Sequence, residues 1–281
     1  MQKVLSFSRI EEAEPHMDKK VLSYINEGQI ETFEGFAEFD VMAFDWHDVN
    51  CTGGDCSRIL IYLDQEDLFF FCENTTGEEK VRAIIREETG EEETPSNRQM
   101  LYRFFNRLLK GDTDRLDQLE TEITDTENAV LSGSQEGYPD KIIEFRRELL
   151  RLKRYYEQLE SIFDGAAEDD NGLLGEDIIR RFVILSSRTD RYLKNVISLR
   201  EYVAQMREAY QSQLSIQQNE LMKIFTVVTV IFMPLTLLVG WYGMNFHMPE
   251  LEWKYGYPLV IFISAAVIAW LIWLFKRKKW L

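Results

Sequence analysis

The sequence predicts an α+β membrane protein: a mixed N-terminal domain, then a long helix that continues without a break into the first of two C-terminal membrane spans. Three observations predict it. Residues 221–240 and 257–275 are apolar stretches of about 20 residues each, the length a helix needs to cross a hydrocarbon core. No glycine or proline falls between Gly175 and Pro234, and apolar residues recur there at spacings of three and four. The first 75 residues instead carry short runs rich in Val, Ile, Phe and Tyr, which is strand composition.

Taken in order, residues 4–10, 41–45, 58–63 and 68–73 read as strands, with Gln65-Glu66-Asp67 as the hairpin connection between the last two. One helix is expected over residues 78–87. From Ser96 the pattern turns helical: Met100, Phe104, Leu108 and Leu109 share a face, and Gly111 suits a C-cap. A further helix carries Leu116, Leu119 and Ile123 and ends near Ser132-Gly133-Ser134. Gly137-Tyr138-Pro139 opens the next, through Ile143, Leu149, Leu152 and Leu159. Helices at 112–132 and 140–163 have a short link and are expected to form an antiparallel pair. The acidic, small-residue segment 165–175 reads as a loop.

From residue 176 the apolar series is Ile178, Phe182, Leu185, Tyr192, Val196, Leu199, Val203, Met206, Tyr210 and Leu214, interrupted by Thr189. A period of about 3.5 residues sustained this far predicts a supercoiled stalk. The expected organisation is a domain at 1–165, a stalk at 175–220, spans at 221–241 and 257–275, a loop at 242–256, and a basic tail at 276–281.

Charge is divided unequally along the chain. Six of the 32 basic residues and two of the 48 acidic ones lie beyond residue 220, leaving 26 against 46, a net of −20, before it. So acidic a domain repels a phosphate backbone and is not a nucleic-acid binder; it attracts divalent cations. Ser, Glu and His interrupt the N-terminal segment, so no secretory signal is expected. Lys276, Arg277, Lys278 and Lys279 follow the second span, and Lys223 sits at the entry of the first. The positive-inside tendency puts these, and with them both chain ends, in the cytoplasm. Cys51, Cys56 and Cys72 are then expected to be reduced thiols, because a zinc site needs tighter spacing and a second pair. Without a phosphate loop or a paired nucleophile, and with His16, His47 and His247 scattered, an enzyme is not expected.

Two helices per chain cannot enclose a water-filled path, so a pore needs several copies around an axis. Asn219, Met222, Thr226, Thr229, Met233, Thr236 and Gly240 lie three or four apart, on one face of the first span. A threonine in a membrane helix more simply bonds back to its own preceding turn. Pro234 frees a carbonyl that Thr236 or a neighbouring helix can satisfy. In the loop, Glu250 and Glu252 would form a ring of negative charge that concentrates cations. Tyr242-Gly243-Met244-Asn245 closes the span and sets an amide beside a glycine at its mouth. Trp241, Tyr242, Trp253, Tyr255 and Tyr257 fit an interfacial aromatic belt.

Tyr-Gly-Met-Asn at 242–245, Phe246, Met-Pro-Glu-Leu at 248–251, Trp-Lys-Tyr-Gly-Tyr-Pro at 253–258 and the terminal Lys-Lys-Trp-Leu resemble the CorA magnesium channel family, as do Asn219-Glu220-Leu221-Met222-Lys223 and Pro234-Leu235-Thr236. The match covers residues 215–281; before that, the chain is similar in layout only. The resemblance implies a homopentameric funnel with a cytoplasmic αβα domain, in the plasma (inner) membrane. It implies a selectivity filter of Gly243, Met244 and Asn245, with Asn245 meeting hydrated Mg²⁺, and a gate of Met222 and Phe225. Mg²⁺ is then the transported ion, with Co²⁺ or Ni²⁺ also admitted, and membrane lipid and identical subunits the partners. The family's Mg²⁺-bridging acids between subunits do not carry over, because the stalk position falls near Ile184 and Leu185; the regulatory site stays unassigned. Competing expectations are a zinc transporter of the same superfamily, against which Met244 argues, and a non-conducting coiled-coil membrane anchor.

Overall fold

The computed structural model describes residues 1–13, 15, 17, 21, 32–47, 57–89, 95–131, 137–244, 253–278 and 280. The chain divides into two compact units, Met1–Met206 and Arg207–Leu281. Cys51, Cys56, His16, Asn245, Phe246, Glu250 and Glu252, on which several expectations rest, lie outside the described residues.

Among the described residues the first unit is built on five strands: β1 Gln2–Ser6, β2 Phe33–Gly35, β3 Phe39–Trp46, β4 Ser57–Asp64 and β5 Leu68–Cys72. They form one sheet in the order β1-β5-β4-β3-β2, with β1 parallel to β5 and the other pairs antiparallel. Continuous burial along β5, Leu-Phe-Phe-Phe-Cys, marks a central strand covered on both faces. On one face Leu5, Val41, Ala43, Leu60, Tyr62, Phe69 and Phe71 meet Ala13, Met17 and Val21. On the other, Phe70 tilts against Phe104 at 4.8 Å and Phe44 against Phe105 at 5.8 Å. The expected 65–67 turn is present: the Asp64 carboxylate accepts the Glu66 and Asp67 N–H groups at 2.7 and 2.6 Å. Cys72 is a buried free thiol, pushed up to about 12 by burial, which makes it an inert core group.

Six helices follow among the described residues: α1 Thr75–Glu88, α2 Asn97–Leu108, α3 Asp112–Leu131, α4 Tyr138–Glu168, α5 Glu176–Tyr242 and α6 Gly256–Arg277. Sequence chemistry sets their starts. Asn74 caps α1 by accepting the Gly77 N–H at 2.7 Å, three residues before the expected start. Ser96 and Gln99 form a reciprocal capping box on α2.

Three expectations are corrected here. The first strand ends at Ser6, because Phe7–Glu12 forms a 3-10 segment. Gly165 does not open a loop: α4 runs on to Glu168, and a Cβ at Gly165 would fall 2.3 Å from the Phe33 ring. The glycine is there for the close approach of α4 to β2, a strand the sequence reading omitted. Most consequentially, the long helix is present as expected, but its 3.5-residue stripe up to Met206 packs inside the first unit. Ile178, Phe182, Leu185, Tyr192, Val196, Leu199, Val203 and Met206 are all buried within the first unit. Phe182 packs on Phe105 and Phe163, Tyr192 bonds Thr113 at 2.9 Å, and the Tyr138 hydroxyl donates to the Met206 carbonyl at 3.3 Å. The Tyr202 hydroxyl donates to Glu127. Helix-on-helix packing inside one chain has nearly the same apolar spacing as a coiled coil, so the period does not say whose helix lies opposite.

A turn at residues 169–175 feeds α4 into α5. Asp169, at φ 43°, accepts the Leu174 and Gly175 N–H groups, and Asn171 Nδ2 donates to the Phe36 carbonyl and to Asp40 Oδ1, both at 2.7 Å. Asp40 is 2% exposed, and its carboxyl is raised to about 6, first by burial, opposed by the Asn171 bond and aided by Asp169. Its neutral form is therefore favoured by folding. That stability is complete below about pH 4 and lost as pH rises through about 6, a cost of about 2–3 kcal/mol at neutral pH. Asp40→Asn keeps an acceptor for Asn171 without the charge. The variant is expected to be more stable than the native chain at pH 7.5 by about 1–3 kcal/mol and equal to it near pH 4. Thermal unfolding followed by circular dichroism at both pH values checks this; a variant less stable at pH 7.5 would mean that the ionised carboxylate holds the turn.

Candidate functional site

The second unit contains Arg207–Tyr242 of α5 and all of α6. Both helices carry a stretch long and apolar enough to cross a membrane, and only 6% and 11% of those stretches is buried. A core helix of a water-soluble protein would be mostly covered; these are not. At 1.5 Å per residue the 22 residues of α6 reach about 33 Å, enough for a hydrocarbon core of about 30 Å. The first span follows from the first unit without interruption, because α5 is one helix of 67 residues.

Every member of the polar stripe, Asn219, Met222, Thr226, Thr229, Met233, Thr236 and Gly240, is exposed on α5. Exposure alone does not single the stripe out, since Phe232 and Val239 on other faces are 61% and 74% exposed. What sets the stripe apart is its hydrogen bonding. The hydroxyls of Thr226, Thr229 and Thr236 donate to the carbonyls of Met222, Phe225 and Phe232 at 2.7, 2.8 and 2.9 Å. Local back-bonding, the simpler expectation for these residues, is therefore what occurs. It commits each hydroxyl hydrogen to the helix and leaves the oxygen free only to accept. Ser264 of α6 does the same toward Val260, but alone. Thr236 does not serve the Val230 carbonyl that Pro234 frees; it bonds Phe232 instead.

Gly243 stands one residue past the end of α5, where its N–H donates to the Val239 carbonyl at 2.9 Å. A Cβ there would lie 2.9 Å from that same oxygen, so the helix exit closes tightly only around glycine. Met244 follows, 47% exposed, with its N–H on the Trp241 carbonyl at 3.3 Å. Met222 and Phe225 are 63% and 67% exposed and lie on adjacent turns. At the stalk position where the resemblance seeks an acid, Ile184 is 66% exposed and Leu185 is buried. Asp190, the nearest acid on that side, pairs with Lys194 at 2.7 Å. Among the described residues no group of three or more His, Cys, Asp or Glu is placed to hold a metal ion.

The CorA-like Mg²⁺ transporter family model matches residues 12–277, the soluble unit as well as both spans. The chain belongs to that family. It is 27% identical over 269 residues to the cobalt/magnesium transport protein CorA of Thermotoga maritima, covering 95% of this chain and 76% of that one. To the magnesium transport protein CorA of Wolinella succinogenes it is 34% identical over 65% of this chain and 57% of the other. The solved CorA magnesium transporter of Methanocaldococcus jannaschii superposes with a TM-score of 0.78, covering 98% of this chain and 87% of that one at 19% identity. The last likeness concerns the fold, and shows that the αβ unit, long helix and second apolar helix of this CorA-family chain share one architecture with a full-length transporter.

Two substitutions separate acceptor chemistry from simple polarity. Thr229→Ser keeps the back-bonded oxygen and is expected to leave ion flux within about twofold. Thr229→Val removes the oxygen at the same volume and is expected to lower flux about tenfold, on the scale of one lost charge-assisted hydrogen bond. Flux through reconstituted vesicles measures both. Equal flux through Val and Ser would mean that the hydroxyls serve the helix alone.

Proposed function

We propose that the chain conducts hydrated Mg²⁺, and with it Co²⁺ or Ni²⁺, passively into the cytoplasm as a homopentamer in the plasma (inner) membrane. The observation that carries this reading is the family match over residues 12–277, supported by three back-bonded threonines on one face of the first span. Copies arranged around an axis turn the stripe into stacked rings, since two helices alone enclose nothing. Met222 and Phe225 then make an apolar constriction that closes by dewetting.

Mg²⁺ gives up its waters reluctantly and holds them in tight octahedral geometry. Its coordinated waters point hydrogens outward. A ring of Asn245 side-chain oxygens and Gly243 carbonyls accepts those hydrogens without stripping the shell. Asn219, Thr226, Thr229, Met233, Thr236 and Gly240 line the path below. Glu250 and Glu252 raise the local cation concentration before entry. A potential of 100 mV adds about 2.3 kcal/mol per charge, so roughly twice that for a divalent ion. Both chain ends lie on the cytoplasmic side, where Lys223 and the residues after Phe275 satisfy the positive-inside tendency.

Liposomes loaded with a fluorescent Mg²⁺ indicator test this directly. The native chain is expected to admit Mg²⁺, and Asn245→Ala to reduce the entry at least about tenfold. Zn²⁺ entry without Mg²⁺ entry would transfer the chain to the zinc branch. An Asn245→Ala variant that conducts like the native chain would remove the filter from this loop.

A further inference from the structure

α5 keeps a seven-residue register through the first unit. Ile178, Leu185, Tyr192, Leu199 and Met206 stand seven apart and are all buried, and so do Phe182, Thr189, Val196 and Val203. An ideal helix drifts by about 20° per heptad against such a repeat, so rows held in place this long show α5 winding with the sevens. The row immediately before the first of these is Asp177, Ile184, Arg191, Ser198 and Gln205, and every member is exposed. Continued at the same interval it reaches Ser212, Asn219, Thr226, Met233 and Gly240, also exposed. The last four belong to the stripe that the proposed pore turns toward its axis.

In a ring of copies the same row, followed back into the soluble unit, is turned toward the neighbouring copies. Its members there suit water, with one exception. Asp177 and Arg191 are charged and Ser198, Gln205 and Ser212 polar, but Ile184 is 66% exposed, and Val183 beside it 49%. A single apolar residue on a surface needs no cover; here two adjacent β-branched ones stand on the row that leads to the pore. The polar groups around them are engaged within the chain. Arg180 meets Glu176 at 3.4 Å, the Arg181 guanidinium lies 5.1 Å from the centre of the Tyr102 ring, and the Ser186 hydroxyl donates to Asp164 at 2.5 Å. The apolar pair is what this part of the helix leaves to a partner.

We infer that Val183 and Ile184 form an apolar contact between copies of this chain, one that holds without a bridging metal ion. The inference rests on the pore reading above, which supplies the neighbouring copies. The occupant is a second copy because the row is continuous with the face that copies share in the proposed pore. Among the described residues no group of three or more His, Cys, Asp or Glu is placed to hold a cation. Asp177 is the one carboxylate of the row, and it stands a full heptad from Ile184.

The test puts the photo-crosslinking amino acid p-benzoylphenylalanine in place of Val183 in the full chain purified in detergent, with oligomer mass read in parallel by native mass spectrometry. Irradiation is expected to link copies, with the same yield in millimolar Mg²⁺ as in excess chelator. Ile184→Asp in the same chain is expected to lower the yield about tenfold or more, the scale of one isoleucine withheld from burial. A chain of oligomeric mass that gives no link, or a yield that Ile184→Asp leaves unchanged, overturns the contact while the pore reading stands. A yield that falls on chelation and returns with Mg²⁺ overturns the apolar contact in favour of a cation bridge. A monomeric mass removes the pore reading, and the inference with it. Should the probe at 183 prevent folding, it replaces the exposed Ser187 on the same patch, and the same outcomes apply.

Discussion

A backbone that enters hydrocarbon keeps its hydrogen bonds only by forming them within its own segment, and that constraint organises this chain. α5 satisfies it as one unbroken helix from Glu176 to Tyr242. The same helix first has to be held by water-soluble structure, and residues 178–206 supply the means through one buried stripe inside the first unit. One element thus obeys two solvents in succession. Before Met206 it is amphipathic, with Arg, Glu and Lys on its outer face; beyond Leu221 many of its apolar side chains are exposed, although Val227 is buried. The turn at residues 169–175 and the Tyr138 and Tyr202 bonds are the fixed points from which that helix starts.

How much of this was legible in the sequence depends on whether a signal is local. Strand composition identified β3, β4 and β5 because a two-sided buried strand is apolar along its whole length. β2 escaped because Phe-Glu-Gly is three residues long and earns its place by pairing with β3. Gly165 was misread for a related reason. In sequence a glycine is a breaker; in the fold it is where the Phe33 ring needs room. The stripe of α5 was read with the right positions and the wrong partner. Periodicity reports that a face is buried, never by what, and here α2, α3 and α4 of the same chain help to bury it.

The candidate site was legible in a different way. Its candidate residues were proposed from spacing and from a short motif, but their hydrogen bonding was not. Gly243 is required by a 2.9 Å approach to the Val239 oxygen, which no pattern announces. The hydrogen bonding of the threonines also needed atoms. Back-bonding and ion contact had stood as alternatives, and the geometry makes them compatible, because the donor and acceptor sides of a hydroxyl are separate resources.

That separation explains how a path without charged side chains along its membrane portion could still prefer cations. A freely rotating hydroxyl can turn its hydrogen toward an anion or its lone pairs toward a cation, and so distinguishes neither. Once the hydrogen is fixed on the carbonyl four residues earlier, only the lone pairs remain outward. Thr226, Thr229 and Thr236 each lose the donor in this manner, at successive levels of one face. The cost of placing carboxylates in hydrocarbon is avoided, and so is the tight binding that would stop a divalent ion from leaving. Water already coordinated to Mg²⁺ is a strengthened donor and meets an acceptor at each of these threonines, while an anion needs donors that these hydroxyls no longer offer. In the proposed pore the discrimination of charge sign comes from the helix backbone, which consumes the hydrogens, and the discrimination among cations is left to the entry loop that begins at Gly243.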